Sequence, residues 1–243
     1  MKKTHFGFRE IPEEEKKEEV KAVFSRVATR YDLMNDVMSV GLHHLWKRFA
    51  IAEAGLRNGD IVLDCAGGTG DMTRLATPKV MPKGKVVLAD INHAMLLQAK
   101  SILCEAGLLV PLVQCDGERL PFKNRAFSHV ICAFGLRNMT HIDDALQEFS
   151  RVLRPGGKAL ILEFSKIWEP LSPIYDFYSF HVIPKLGDKI ANDKESYQYL
   201  VESIRKHPDH DTLASMMRQN GFDDVKVYRL TAGIVALHVG YVW

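Results

Sequence analysis

The 243-residue chain carries 32 Lys and Arg against 30 Asp and Glu, a formal net charge of +2, with 47% hydrophobic and 26% charged residues. That composition suits one globular domain with additions and excludes collagenous, low-complexity and strongly charged chains. So even a balance gives no case for nucleic acid as a partner, and no apolar run approaches the roughly 20 residues of a membrane span.

Taken in chain order, the opening MKKTHFGFRE shows neither the apolar stretch of a signal peptide nor a Ser/Arg-rich transit segment, so a cytoplasmic location is expected. Glu13–Lys21, EEEKKEEVK, is a charge run that reads as the solvated face of a helix. Val20, Val23, Phe24 and Val27 follow at three- and four-residue spacings and give that helix its apolar side. A further helix is expected from Leu42 to about Ala54, which makes residues 1–58 a helical cap.

After Gly59-Asp60 the pattern alternates. Ile61–Ala66, Lys85–Ile91, Pro111–Asp116, His129–Phe134 and Lys158–Phe164 are short, apolar and rich in β-branched residues. Between them lie amphipathic stretches such as Ala94–Ala106 and Ile142–Leu153, a cadence that predicts an α/β fold with a doubly wound parallel sheet. The last two apolar runs are separated only by Thr231-Ala232-Gly233, too short for a crossover helix, so the final strand should be antiparallel. The reading is one domain: a cofactor-binding core over 59–165, an insertion over 166–208, and a last helix and hairpin over 209–243. The four cysteines, Cys65, Cys104, Cys115 and Cys132, stand singly, and His43, His44, His207 and His210 offer no metal spacing, so no metal is expected.

The first core strand runs into Asp64-Cys65-Ala66-Gly67-Gly68-Thr69-Gly70-Asp71, a turn whose glycines let backbone N–H groups approach a ligand. Thr73 stands where a dinucleotide fingerprint needs its third glycine, and no P-loop Lys-Ser or Lys-Thr is present. Asp90 ends the second strand, where an acid accepts hydrogen bonds from ribose hydroxyls, with Ile91 beside it. Asp116, followed by Gly117, ends the third and could receive an adenine amino group. The spacing Asp64…Gly70…Asp90…Asp116 resembles S-adenosylmethionine-dependent methyltransferases of the Rossmann-like class I type, with Ala66 replacing the first glycine of their usual pattern.

The stretches Tyr31–Trp46, Phe134–Asn138 (FGLRN), Arg151–Ser165, Tyr175–Gly187 and Glu195–Asp209 carry a more specific resemblance. From Thr4 to Trp243 the chain resembles the ubiquinone/menaquinone biosynthesis C-methyltransferases, in which Ala66 is the familiar residue. Ala133 stands where relatives often have a cofactor-contacting serine, so Asp116 and Gly117 are expected to hold more of the adenosine. The resemblance implies S-adenosylmethionine as cofactor and methyl transfer to a ring carbon of a polyprenylated benzoquinol or naphthoquinol. Arg137 would stabilise the phenolate, or polarise a water that takes the ring proton, and Asn138 would orient the ring. The alternative for Arg137 is an ion pair with Asp143 or Asp144. Tyr31, Asn35, Phe177, Tyr178 and His181 are candidates for the substrate side, His181 equally as a packed residue.

Ile167–Gly187, with Trp168, Tyr175, Phe177, Tyr178 and Phe180, suits a substrate lid, a contact with the inner membrane surface where the quinol resides, or a dimer interface. A homodimer and membership of a quinone-biosynthesis complex are further expectations. Two other functions remain open at this point: a non-catalytic cofactor- or lipid-binding subunit, and a methyltransferase for another hydrophobic small molecule.

Overall fold

The computed structural model describes residues 2–183 and 194–243. A short antiparallel hairpin comes first, β1 (Lys3–Phe6) and β2 (Arg9–Pro12), turning at Gly7 with φ +60°. Helices α1 (Glu13–Val27), α2 (Tyr31–Ser39) and α3 (Leu42–Ala54) follow. The hairpin is a departure from the purely helical cap expected, because four-residue strands leave too short a pattern to read.

The alternating core comprises β3 (Ile61–Cys65), α4 (Asp71–Val80), β4 (Lys85–Asp90), α5 (His93–Glu105), β5 (Leu112–Gln114), β6 (Phe127–Ala133), α6 (Ile142–Val152) and β7 (Leu153–Phe164). Then come α7 (Ser172–Phe177), a π-turn over Tyr178–Val182, α8 (Lys194–Lys206), α9 (His210–Gln219), β8 (Asp224–Leu230) and β9 (Val235–Tyr241). The seven-stranded sheet has the order β5-β4-β3-β6-β7-β9-β8. Strands β3 to β7 are mutually parallel, and β9 runs antiparallel to both β7 and β8, as the short Thr231–Gly233 link requires. Strand β7 starts five residues earlier than the apolar run suggests, because Gly156 (φ +77°) lets the chain bend through a register shift against β6 and keep pairing.

Alternation along the strands feeds two cores. Val62, Val86, Ile131, Leu160 and Leu162 face the side covered by α1 to α4 and α8. Leu63, Val87, Val130 and Ile161 face α6 and α9, where Leu146, Phe149, Leu213 and Met217 are fully buried. Both faces are covered, which is why the strands read as continuous apolar runs. Emptying the Phe149 position would cost about 3–5 kcal/mol. From β3 the chain steps outward through β4 and β5, then returns past β3 to β6 and β7. The carboxyl ends of β3 and β6 therefore flank the point where strand order reverses, the place where such sheets open a crevice.

The hairpin reaches across the chain. Phe6 stacks on Tyr199 of α8 with ring centroids 4.2 Å apart, and the Phe8 amide donates to Glu202 Oε2 at 3.0 Å.

Candidate active site

The glycine turn is shaped by close packing. Gly67 donates its amide to the Ala89 carbonyl at 3.1 Å, and a Cβ there would lie 2.8 Å from Leu88 Cγ. Gly70, the residue before α4, has φ +92°, a conformation that side chains rarely adopt. Ala66 takes the left-handed conformation itself (φ +54°), at a cost of roughly 1–2 kcal/mol that a glycine would not incur. Thr69 is buried within the turn.

Asp64 lies beneath this turn, 1% exposed, where the Thr73 hydroxyl donates to its Oδ2 at 2.6 Å. Burial pushes its carboxyl up to about 7. Asp90 presents itself instead to the crevice. Its Oδ2 accepts the Gly68 amide at 2.9 Å and its Oδ1 the Asn92 amide at 2.8 Å, which fixes the carboxylate and leaves lone pairs for a ligand. Burial raises its pKa, opposed by those backbone bonds.

One cleft brings together Tyr31, Gly68, Asp90, Ile91, Asp116, Gly117 and Asn138 of the residues singled out from sequence, with about 750 Å³ of empty space including its mouth. Asp64, Gly67, Thr69, Gly70 and Ala133 are not among its lining residues; they build the turn and strand ends below it. Packing around Gly117 is tight, with Met139 Cε 2.7 Å from where a Cβ would stand. Burial raises the Tyr31 phenol, opposed by the nearby Lys47 and Arg137 charges and by the Asn35 side chain. Asn35 is not among the residues lining the cleft.

Helix α1 roofs this cleft with Lys17, Val20, Lys21 and Phe24, a role the charge run did not suggest. Lys17 Nζ lies 2.5 Å from Asp116 Oδ2 and 3.1 Å from Glu118 Oε2, while Lys16 donates to the Met139 carbonyl at 2.8 Å. The expected solvated face is in part an inner one. Lys16 lies four residues before Val20, on the same stripe as Val23 and Val27, so its stem packs while its ammonium reaches a carbonyl. His141 ties the same corner together, 3.3 Å from Glu13 Oε2 and 3.2 Å from Glu118 Oε2.

The strand end at FGLRN answers to a buried pair. Phe134 has φ +58°, and the chain then makes a single 3-10 turn over Leu136–Asn138. Arg137 is 8% exposed and donates from Nη1 to Glu163 Oε1 at 2.9 Å and to the Phe134 carbonyl. Its guanidinium carbon lies 5.3 Å from the centre of the Phe164 ring. The surface pairing with Asp143 or Asp144 weighed from sequence does not form; Asp143 accepts from Asn220 at 2.7 Å instead. Arg137 is not among the residues lining the cleft, whereas Asn138 is. Asn138 Oδ1 accepts the Tyr199 hydroxyl at 3.0 Å, which fixes the amide, and its Nδ2 makes no hydrogen bond among the described residues. Glu163 and Tyr199 were missed from sequence. A carboxylate inside the buried run KALILEF was the available signal, since a buried charge needs a partner.

In the insertion, Tyr178 packs on the core, while Phe177 is 63% exposed and stacks on His181 at 5.1 Å, both at the surface. None of Phe177, Tyr178 and His181 lines the cleft. Tyr175 has Arg205 4.9 Å from its ring centre, and Phe180 stands 6.3 Å from Phe8 of the hairpin. Residues 184 to 187 of the proposed lid lie outside the described residues. Near α2, Asp36 Oδ1 accepts from His43 at 2.9 Å and His44 at 3.1 Å, a cluster the absence of metal spacing did not foresee.

Residues 12–242 match the model of the ubiE/COQ5 methyltransferase family. This chain belongs to that family. It is 56% identical over 237 residues to the ubiquinone/menaquinone biosynthesis C-methyltransferase UbiE of Bordetella parapertussis, covering 98% of this chain and 92% of that one. Against the protein of the same name from Ralstonia pickettii it is 55% identical over 240 residues, 99% of each chain. The fold matches the crystal structures of a SAM-dependent methyltransferase from Aquifex aeolicus (TM-score 0.58, 17% identity, 80% of this chain and 88% of that one) and of Bacillus YcgJ (TM-score 0.60, 16% identity, 82% and 99%). Family members are methyltransferases, and S-adenosylmethionine is the methyl donor. The residues fit that cofactor: the glycine cradle admits no Cβ at Gly67, and Asp90 and Asp116 stand at adjacent strand ends beside it.

Proposed function

We propose that this chain methylates a ring carbon of a polyprenylated benzoquinol, a demethylmenaquinol, or both. Enzymatically it is a C-methyltransferase of ubiquinone/menaquinone biosynthesis. S-adenosylmethionine supplies an electrophilic methyl group when bound. Asp90 holds the ribose hydroxyls, Gly68 and Gly70 keep the turn open to the methionine portion, and Asp116 with Gly117 takes the adenine end after releasing Lys17. The observation that carries the substrate half is Asn138, which lines the cleft with its acceptor satisfied by Tyr199 and its amide donors uncommitted among the described residues. A donor so fixed orients a ring oxygen and favours its ionised form, which pushes electron density onto the ring carbon. Arg137 works from behind Asn138. Paired with Glu163 it is close to neutral as a unit, so it acts on the ring oxygen more as an oriented dipole than as a free cation.

The described part of the insertion, residues 166–183 and 194–208, serves as the cover of the ring site, with Tyr178 on its inner side. The exposed aromatics Trp168, Phe177 and Phe180 meet the inner membrane surface, where the quinol resides. No described helix is long and apolar enough to cross a membrane, so substrate must be taken from that surface. A homodimer and a place in a quinone-biosynthesis complex belong to the same reading.

The test is methyl transfer itself. Purified protein with methyl-labelled S-adenosylmethionine and a panel of reduced prenyl quinones should place the label on the ring carbon. Label on oxygen, or transfer only to sterols or acyl chains, would refute the assignment.

A further inference from the structure

Helix α1 brings an ammonium to the end of the cleft where Asp116 stands. Lys17 Nζ reaches two carboxylates, Asp116 and Glu118, and all three residues line the same cleft. The two acids are not equivalent. Asp116 Oδ1 accepts the Glu118 amide at 2.9 Å, so its other oxygen, Oδ2, is the one that Lys17 holds. The Glu118 side chain is 6% exposed; its Oε1 accepts the Thr140 amide at 2.6 Å, while Lys17 and His141 share its Oε2. Asp116 is the more open of the pair, with 27% of its side chain exposed.

Other contacts hold the helix down. Lys16, one residue earlier, donates to the Met139 carbonyl, and Asn92 Nδ2 donates to the Lys21 carbonyl at 2.9 Å and to Ser25 Oγ at 3.0 Å. Helix α1 therefore keeps its place by bonds that do not involve Lys17, whose partly exposed ion pairs add little to stability. Desolvation would lower the Lys17 pKa, but bonds to the two acids outweigh it and raise it, so the ammonium stays charged beside the cleft. An adenine amino group can gain Asp116 Oδ2 only against this bound donor. With one carboxylate the lysine would be left unpaired by such a ligand; here a second acid, 3.1 Å away, keeps it paired.

We infer that Lys17 and Glu118 set the affinity of the cleft for the adenosyl end of its cofactor, Lys17 as the competitor for Asp116 and Glu118 as the acid to which Lys17 withdraws. The inference rests on the reading that Asp116 receives the adenine amino group. Binding exchanges the ammonium at Asp116 Oδ2 for the amino N–H, while the ammonium keeps its bond to Glu118 Oε2. No charge loses its last partner in either state. Lys17 and Glu118 stay away from the reacting atoms and act on the cofactor through Asp116, as positioning residues.

The experiment titrates the full chain by calorimetry with S-adenosylhomocysteine, and with an analogue that carries hydrogen in place of the adenine amino group. Wild type should bind the analogue more weakly. Lys17→Met should tighten S-adenosylhomocysteine about two- to fivefold, the range of a partly exposed ion pair, and leave the analogue unchanged. Glu118→Gln keeps an oxygen for the Thr140 amide but leaves Lys17 with Asp116 alone. It should weaken S-adenosylhomocysteine by a similar factor, and the double variant should match Lys17→Met. Should Glu118→Gln not fold by its thermal midpoint, Lys17→Met alone decides. A Lys17→Met chain that binds S-adenosylhomocysteine as wild type does, or more weakly, overturns the inference and leaves Asp116 at the adenine. So does a Glu118→Gln loss that persists in the double variant, which would mark Glu118 as structural. If wild type binds the two ligands equally, Asp116 does not hold the amino group, and the inference falls together with that reading.

Discussion

Asp64 makes a quantitative prediction about stability. Its carboxyl is 1% exposed under the glycine turn, with one hydroxyl donor, and burial pushes its pKa up to about 7 from the ordinary 3.8. The folded chain therefore keeps a proton that the unfolded chain has lost across that window. Stability should fall as pH rises through it, by about 1.4 kcal/mol per unit and about 4 kcal/mol in all. In Asp64→Asn the amide oxygen still accepts from Thr73, but nothing titrates. The difference in unfolding free energy, wild type minus variant, should drop by about 2 kcal/mol between pH 5 and pH 7 and level off towards pH 8. Urea unfolding at pH 5, 6, 7 and 8 measures it, with the slope m unchanged as the check on two-state behaviour. A difference that stayed flat would mean that Asp64 is ionised in the native state across the range and that burial does not govern it.

Gly70→Val should abolish cofactor binding by calorimetry, because φ is +92° and a side chain would press on Leu88 and Leu103 at 3.3 Å. Asp90→Ala should weaken the cofactor by about 1.5–3 kcal/mol, roughly 10- to 150-fold, through the ribose acceptor it removes; unchanged affinity would place the ribose elsewhere. Arg137→Ala should lower stability by about 3–5 kcal/mol in denaturant, since it leaves Glu163 buried without its cation, so its loss of turnover must be read beside a stability measurement. Phe177→Ala, at a position 63% exposed, should leave cofactor affinity and thermal midpoint alone while reducing flotation with anionic liposomes and raising KM for the quinol; flotation equal to wild type would remove the membrane role.

The sheet was legible because every core strand is covered on both faces and so reads as an uninterrupted apolar run, and because Thr231–Gly233 is too short for anything but a reversal. The glycine turn and the acids at three strand ends were legible for a different reason: each needs a particular residue type at a fixed place. What stayed hidden was long-range. Nothing near Lys16 or Lys17 reveals that their helix lies over the cleft, since a lysine with a packed stem has the same letter as a solvated one. Glu163 could be flagged as a charge inside an apolar run, but its partner is 26 residues away on a turn whose own sequence offered Asp143 and Asp144 as nearer choices. Tyr199 meets Asn138 across 61 residues, a separation no local pattern records.

The stacking of Phe6 on Tyr199 has a consequence for the timing of assembly. Tyr199 is also the residue that fixes Asn138, so the FGLRN turn takes its final form only when the first strand and helix α8, from opposite ends of the chain, have found one another. During synthesis the parallel strands up to Phe164 can pair before α8 has left the ribosome. At that stage the glycine turn is complete and Asn138 still lacks its anchor. On the proposed roles of these residues, a nascent chain can thus form its cofactor cradle before its substrate-orienting amide is anchored.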